Sequence, residues 1–251
     1  MKLTDRIYLV GSGVQGFDLT DASDCHVYLI DGGDELALVD AGAGPGVPDI
    51  VANIHAEGFD PKRVHNLFFT HAHLDHAGGA ARMVAALGGN TRVCIHAGCA
   101  PFLREGDEEA ISLAAAKRVG LYPPEVSFEP CPVDIELSEG QVVRVGDLEV
   151  QTIETPGHSR GHTSYRLKDN GREVLFCGDL VFFGGRILLQ NTWDCDLQAH
   201  LASLVKLRDA GIDVLLPGHR TFSFKNGQRH IDAALKNVDG LLVPPNIAYA
   251  W

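Results

Sequence analysis

Four stretches of this chain end a short apolar run in a turn that carries histidine or aspartate, and any fold it adopts has to gather those four turns. Residues 64–69 lead into Thr70-His71-Ala72-His73-Leu74-Asp75-His76, and 150–154 lead into Thr155-Pro156-Gly157-His158. Residues 173–176 lead into Cys177-Gly178-Asp179, and 212–215 into Leu216-Pro217-Gly218-His219. Glycine or proline beside each polar residue lets the backbone turn sharply and present the side chain in a loop. In an extended segment His71 and His73, two apart, project to one side, while Asp75 and His76 sit where the chain turns into an expected helix over 77–87. Imidazole nitrogen with carboxylate oxygen suits zinc and, with altered geometry, iron, manganese or cobalt. A lone histidine in a turn carries little weight. The set His71, His73, Asp75, His76, His158, Asp179 and His219 is enough for two ions sharing one carboxylate.

The remaining pattern supplies a frame. Strand-like runs at 6–10, 26–30 and 36–40, with the turn Asp31-Gly32-Gly33-Asp34, read as a hairpin sheet. Gly11, Gly13 and Gly16 match G-x-G-x-x-G, yet 17–24 forms no helix, which excludes a dinucleotide loop. Val39-Asp40-Ala41-Gly42 ends a buried strand in a carboxylate, and a helix follows over 47–57. Over 97–132 the pattern loosens into an excursion beside the fold and over the site, helical at 107–119 and bracketed by Pro101, Pro123, Pro124, Pro130 and Pro132. Phe102, Leu103, Leu121 and Tyr122 are placed there to roof a pocket.

The second half repeats the outline with strands at 133–137, 142–145, 148–154, 163–167 and 173–177, then helix 197–210, strand 214–216 and helix 226–237. Two blocks of antiparallel strands closed by helices imply two sheets packed face to face with helices outside. No serine, proline or glycine linker parts them, so residues 1–251 read as one domain. The apolar segment 240–251, with Pro244-Pro245, is expected to lie across the body or a partner subunit, a homodimer among the options.

Composition narrows the partners. With 45% hydrophobic and 22% charged residues over 251 positions, the chain can bury a sizeable core. A formal charge of -12 without any run of lysine or arginine argues against nucleic acid and anionic membranes, leaving a small-molecule substrate. No basic leader opens it and no segment approaches about eighteen uninterrupted apolar residues, so a cytoplasmic enzyme is expected. The six cysteines form no C-x-x-C pair and read as reduced, buried thiols.

His71-x-His73-x-Asp75-His76, Gly157-His158, Gly178-Asp179 and Gly218-His219, preceded by Val39-Asp40-Ala41-Gly42, resemble the successive motifs of the metallo-β-lactamase-fold hydrolases, in that family's order. The resemblance implies an α/β fold, a four-layer αββα sandwich of two mixed sheets flanked by helices. It also implies His71, His73 and His158 on one metal, Asp75, His76 and His219 on the other, and Asp179 between them. Asp40 matches a carboxylate that orients ligands without binding metal, and His162 reads as a residue supporting the ligand turns from behind.

Within the superfamily, true β-lactamases lack an aspartate at the position of Asp179, which argues against antibiotic hydrolysis. Acyl-homoserine lactonases place a tyrosine three residues after that aspartate, where this chain has Phe182. Glyoxalase II shares all seven ligand types, but its basic C-terminal extension has no clear counterpart in 226–251. The expectation is a hydrolase of an ester, thioester or lactone using a hydroxide shared by two divalent ions, zinc first and iron or manganese as alternatives. Asp75 is the candidate to orient that hydroxide and take its proton. A persulfide dioxygenase with one iron and a phosphodiesterase are the alternatives. Phe102, Tyr122, Phe182, Phe183 and Trp193 are candidate pocket walls, and Arg160 or Arg186 a candidate contact for a substrate carboxylate.

Overall fold

Alternation along the strands decides the layers. In β1 (Ile7–Gly11), Tyr8 and Val10 face one apolar cluster while Ile7 and Leu9 face another. The same division runs through β2 (Val27–Asp31), β3 (Leu36–Val39), β4 (Val64–Phe68) and β5 (Arg92–His96). A sheet apolar on both faces has to be covered twice. On one side it meets α1 (Val47–Ala56), α3 (Ala80–Ala86), α4 (Ala100–Glu105) and α5 (Leu113–Arg118) through Val47, Ile50, Ile54, Met83, Leu103 and Leu113. On the other it meets the second sheet, through Val145, Val150, Tyr165, Leu167, Phe176 and Leu216. The outer face of that second sheet is closed by α6 (Leu197–Lys206) and α7 (Gln228–Asp239), through Leu204, Leu207, Ile231 and Leu235. The result is the αββα sandwich, each fully buried Leu, Ile or Phe contributing about 1.5–3 kcal/mol relative to exposure.

The structure, a computed structural model, describes residues 1–249. The first sheet runs β1-β2-β3-β4-β5-β6, with β6 at Ile135–Leu137. The second runs β11-β10-β9-β8-β7, with β7 at Val142–Val145, β8 at Leu148–Glu154, β9 at Thr163–Asp169, β10 at Arg172–Gly178 and β11 at Val214–Pro217. β1 to β3 pair antiparallel, but β3 to β6 pair parallel, and β10 and β11 pair parallel as well. Both sheets are therefore mixed. Parallel neighbours point their C-terminal ends the same way, and these ends form one rim on which open α/β sheets place their ligand sites.

Three local expectations change. The sequence pattern places the strand at 133–137 in the second block, but β6 pairs with β5 in the first sheet. The helix expected over 77–87 is cut into α2 (Leu74–Ala77) and α3 at Gly78-Gly79. These glycines let the chain pass against the backbone at 41–43: a Cβ on Gly78 would stand 2.6 Å from the Ala43 carbonyl, and one on Gly79 2.2 Å from that of Ala41. The excursion holds α4, whose start at Ala100-Pro101 follows the preference for proline in a first turn, and α5 begins only after Ser112 adopts a left-handed φ of 60°.

The segment after α7 crosses the body. Ile187 N–H donates to the Pro245 carbonyl at 3.0 Å, Ile247 N–H donates to the Ile187 carbonyl at 2.9 Å, and Asn246 Nδ2 donates to the Leu189 carbonyl at 2.6 Å. Ala250 and Trp251 lie outside the described residues. No disulfide joins the cysteines, five of which are buried and Cys195 half-buried. Among the described residues no helix is long and apolar enough to cross a membrane.

Candidate metal centre

All seven candidate ligands stand on the rim. β4 delivers 71–76, β8 ends just before His158, β10 just before Asp179, and β11 just before Gly218-His219. Two buried tyrosines tie these turns to the sandwich interior. Tyr165 Oη donates to the Phe69 carbonyl at 2.6 Å and Tyr28 Oη to the Pro217 carbonyl at 2.7 Å. Asp40, at the tip of β3, is held at a φ of 64°, a left-handed conformation that aspartate tolerates better than most residues. Its carboxylate accepts from Thr70 N–H at 2.8 Å, from the Thr70 hydroxyl at 2.9 Å and from His76 Nδ1 at 2.9 Å. One carboxylate thereby fixes the start of the histidine stretch and one of its rings.

The first cluster is a nitrogen triangle. His73 Nδ1 lies 3.1 Å from His71 Nε2 and 3.0 Å from His158 Nε2. Nitrogens about 2.0–2.1 Å from a tetrahedral ion stand about 3.3 Å apart, so these two edges are within a few tenths of an ångström of one ion's ligand shell, and the three residues' donor atoms all lie within 4.8 Å of one another. The outer nitrogens are all held. Thr70 Oγ1 accepts from His71 Nδ1–H at 3.0 Å, the Leu188 carbonyl from His158 Nδ1–H at 2.9 Å, and Asp194 Oδ2 from His73 Nε2–H at 2.9 Å. Hydrogen bonds of this kind fix each ring's tautomer and aim its lone pair inward.

The second cluster holds Asp75, His76 and His219. His76 Nε2 lies 3.3 Å from His219 Nε2, and Asp75 Oδ2 lies 3.1 Å from His219 Nε2 and 3.7 Å from His76 Nε2. Asp179 stands between the clusters, with Oδ2 at 3.6 Å from His158 and 3.5 Å from His219, and Oδ1 at 3.7 Å from His76. Oδ1 is buried and takes no hydrogen bond from the described residues. A buried carboxylate oxygen without a donor is costly in a structure of protein alone, and a cation between the clusters is what it fits. Gly218 keeps the space open: a Cβ there would stand 2.5 Å from Asp179 Oδ1 and 2.6 Å from His76 Cε1.

The electrostatics agree with that reading. Burial holds His71 far below the usual imidazole range and brings His158 down to about 4, so both stay neutral with a lone pair free. Burial opposes charge on His76 too, but the Cys25 sulfur and the Asp75, Asp40 and Asp179 carboxylates hold its pKa well above the ordinary value. Burial pushes Asp179 up, and the neighbouring His219 and His76 more than reverse it. Positive charge is favoured where the carboxylates meet. His162 lies behind them: its Nε2 accepts from the Asp179 N–H at 3.0 Å and its Nδ1 sits 3.0 Å from Thr155 Oγ1. It thus pins the turn that carries Asp179. His26, His55, His65, His96, His200 and His230 belong to neither cluster.

Over the clusters lies a cavity of about 400 Å³. His73, Asp75, His158, Asp179 and His219 line it together with Ile111, Leu113, Ala116, Val119, Leu121, Tyr122, Leu188 and Ile247. Tyr122 is the one candidate wall aromatic on it. Phe182 is buried, and with the exposed Phe183 and Arg186 it lines a separate depression beyond Ile247. Trp193 donates from Nε1 to the Glu109 carbonyl at 3.1 Å and meets the Phe102 ring edge-on. Among the described residues neither Arg160 nor any other lysine or arginine lines the cavity. Asp194, Ser112 and Leu188 went unnoticed in the sequence, where a single aspartate in Trp193-Asp194-Cys195 carries no periodic or spacing signal.

An αββα sandwich with two histidine and carboxylate clusters on its strand-end rim defines a metal-dependent hydrolase. The chain belongs to the metallo-beta-lactamase superfamily, whose model matches residues 20–219. It is 30% identical over 209 residues to the acyl-coenzyme A thioesterase MBLAC2 of Gallus gallus, covering 77% of this chain and 72% of that protein. It is 30% identical over 146 residues to a hydroxyacylglutathione hydrolase of Rhodopseudomonas palustris, covering 58% of this chain and 43% of that one. Among solved structures, BJP-1, a subclass B3 metallo-beta-lactamase of Bradyrhizobium japonicum, superposes with a TM-score of 0.73 at 26% identity, over 96% of this chain and 91% of that one.

Proposed function

We propose that this enzyme hydrolyses small thioesters or esters with an apolar acyl group, holding two divalent cations, zinc by donor type. His71, His73 and His158 hold one, Asp75, His76 and His219 the other, with Asp179 between. When bound, such ions lower the pKa of water from about 15.7 to about 7 and polarise an acyl oxygen. The observation that carries the reading is the cavity, whose floor is the ligand set and whose walls are mainly aliphatic, with Gln15, Ser112, Gln190, Asn191 and Thr192 as uncharged polar members. Among the described residues no lysine or arginine lines the cavity, while its aliphatic side chains match an apolar acyl group, which favours an acyl substrate over a phosphodiester. The names of the relatives, an acyl-coenzyme A thioesterase and a hydroxyacylglutathione hydrolase, support a thioester. Asp179 further supports an acyl substrate other than a β-lactam.

The chain's own groups then have defined tasks. Asp75 Oδ2 faces His219 Nε2 at 3.1 Å, where both would meet the second cation, leaving Oδ1 as the atom that would take a proton from the attacking water. Tyr122 makes no protein hydrogen bond among the described residues, and burial pushes its pKa up, so it stays a phenol able to donate to the acyl oxygen or the leaving group. The walls exclude water and orient the acyl chain toward the floor.

Metal analysis of the purified protein with a panel of thioesters, esters, lactones and phosphodiesters tests this. Two zinc per chain, thioester or ester turnover, and its loss on chelation with return on zinc are expected. One iron per chain with oxygen consumption on a persulfide would replace the reading, and full activity in metal-free protein would end it.

A further inference from the structure

Two of the three nitrogens in the first cluster are Nε2, and the third, from His73, is Nδ1. Which nitrogen a histidine offers is set by the hydrogen bond at the other. For His73 that bond goes to Asp194, 121 residues away in sequence and 8% exposed, across 2.9 Å. The other carboxylate oxygen, Oδ1, accepts from the Ser112 hydroxyl at 2.8 Å. Ser112 is itself 7% exposed, held in a left-handed conformation at the start of α5, and lines the acyl cavity with Leu113 and Ala116. Asp194 therefore has both oxygens committed, one to a ring and one to the cavity wall.

The segment that carries Asp194 also carries the second prop. Leu188, in the stretch that the Pro245 and Ile247 backbone clamps, gives its carbonyl to His158 Nδ1. A single length of chain, 188–194, thus stands behind two of the three nitrogen donors, anchored at one end by the C-terminal crossing and at the other by Ser112.

We infer that Asp194, fixed by Ser112, is the positioning residue of the first metal subsite: it keeps the proton of His73 on Nε2, turns the Nδ1 lone pair toward His71 and His158, and ties that donor to the wall against which the acyl group lies. The inference rests on the metal reading of the clusters. An amide at this position offers its NH2 to His73 Nε2, draws the proton onto Nδ1 and removes the lone pair. Loss of an outer hydrogen-bond partner of a metal histidine weakens metal binding by roughly 10–100-fold.

The test uses Asp194→Asn and Ser112→Ala beside wild type, with folding checked by circular dichroism. Zinc affinity is read by chelator competition, and the ring nitrogens of His73 by nitrogen-15 resonances of the metal-free proteins. Wild type is expected to show His73 protonated at Nε2. D194N should lose about 10–100-fold in affinity for one zinc, with the other unchanged, and its His73 proton should move to Nδ1. S112A, which keeps the carboxylate, should lose a smaller factor with the proton still on Nε2. D194N binding both zincs as tightly as wild type with an unchanged tautomer overturns the inference while leaving the proposed function standing. If D194N does not fold, S112A decides: unchanged zinc affinity in S112A overturns it. Failure of wild type to bind zinc at all removes both.

Discussion

Filling the cavity from α5 should shorten the acyl chain that the enzyme prefers. Ala116 is half-buried on α5 and lines the cavity, so Ala116→Leu adds three carbons to a space of about 400 Å³. Each methylene transferred from water to such walls contributes about 0.8 kcal/mol, roughly a fourfold gain in kcat/KM, for as long as the chain still finds wall to touch. In wild type, a thioester series from acetyl upward should therefore climb by about fourfold per carbon and then level off. The variant should follow wild type for short chains and level off about three carbons earlier. For the longest substrates that is a deficit of about 2.4 kcal/mol, or about sixtyfold in kcat/KM. Helix propensity barely changes between alanine and leucine, so the fold should be retained. The assay is thiol release under first-order conditions with one leaving group throughout. A wild-type series that stays flat from short to long chains, or identical profiles for the two proteins, would refute an acyl-binding cavity against α5.

Three other outcomes follow from the geometry. Gly218→Ala puts a carbon 2.5 Å from Asp179 Oδ1 and 2.6 Å from His76 Cε1, and should lose one zinc of two by metal analysis while circular dichroism stays native. Tyr122→Phe leaves the wall in place and removes the phenol, so kcat should fall by about 10²-fold or more with little change in KM; an unchanged kcat would exclude Tyr122 from the chemistry. Acid should destabilise the metal-free protein through His26 and His200, which burial lowers to about 4 from about 6.5 when unfolded. Between those values the unfolded chain binds protons that the folded one refuses. Stability is therefore complete above about pH 6.5 and drops by about 3 kcal/mol per histidine as pH falls toward 4. Urea unfolding at several pH values should show a shallower fall for His26→Gln, and parallel curves would disprove this origin.

The sequence by itself determined the candidate donors. His71, His73, Asp75, His76, His158, Asp179 and His219 are legible because each follows an apolar run and sits beside a turn residue, and periodicity together with glycine and proline is local information. For the same reason the strands and the two-sheet packing were readable, and so was the place of Asp40 at a strand tip, where its carboxylate holds Thr70 and His76. What only the tertiary structure decided depends on partners far apart in the chain. β6 parts from β7, only a few residues ahead, to pair with β5, because a three-residue strand is specified by the edge that it finds rather than by its own pattern. The break at Gly78-Gly79 comes from the approach of the backbone at 41–43. The cavity draws its walls from residues 111–122, from Leu188 and from Ile247, while Phe182, adjacent in sequence to the Asp179 turn, points its bulk elsewhere. The outer ring nitrogen meets Asp194 at His73 and a main-chain carbonyl at His158, partners 121 and 30 residues away. Local chemistry names the candidate ligands. Long-range hydrogen bonds decide which ring nitrogen of His73 and of His158 faces the cluster, because a ring's tautomer answers to whatever the fold brings to its far side.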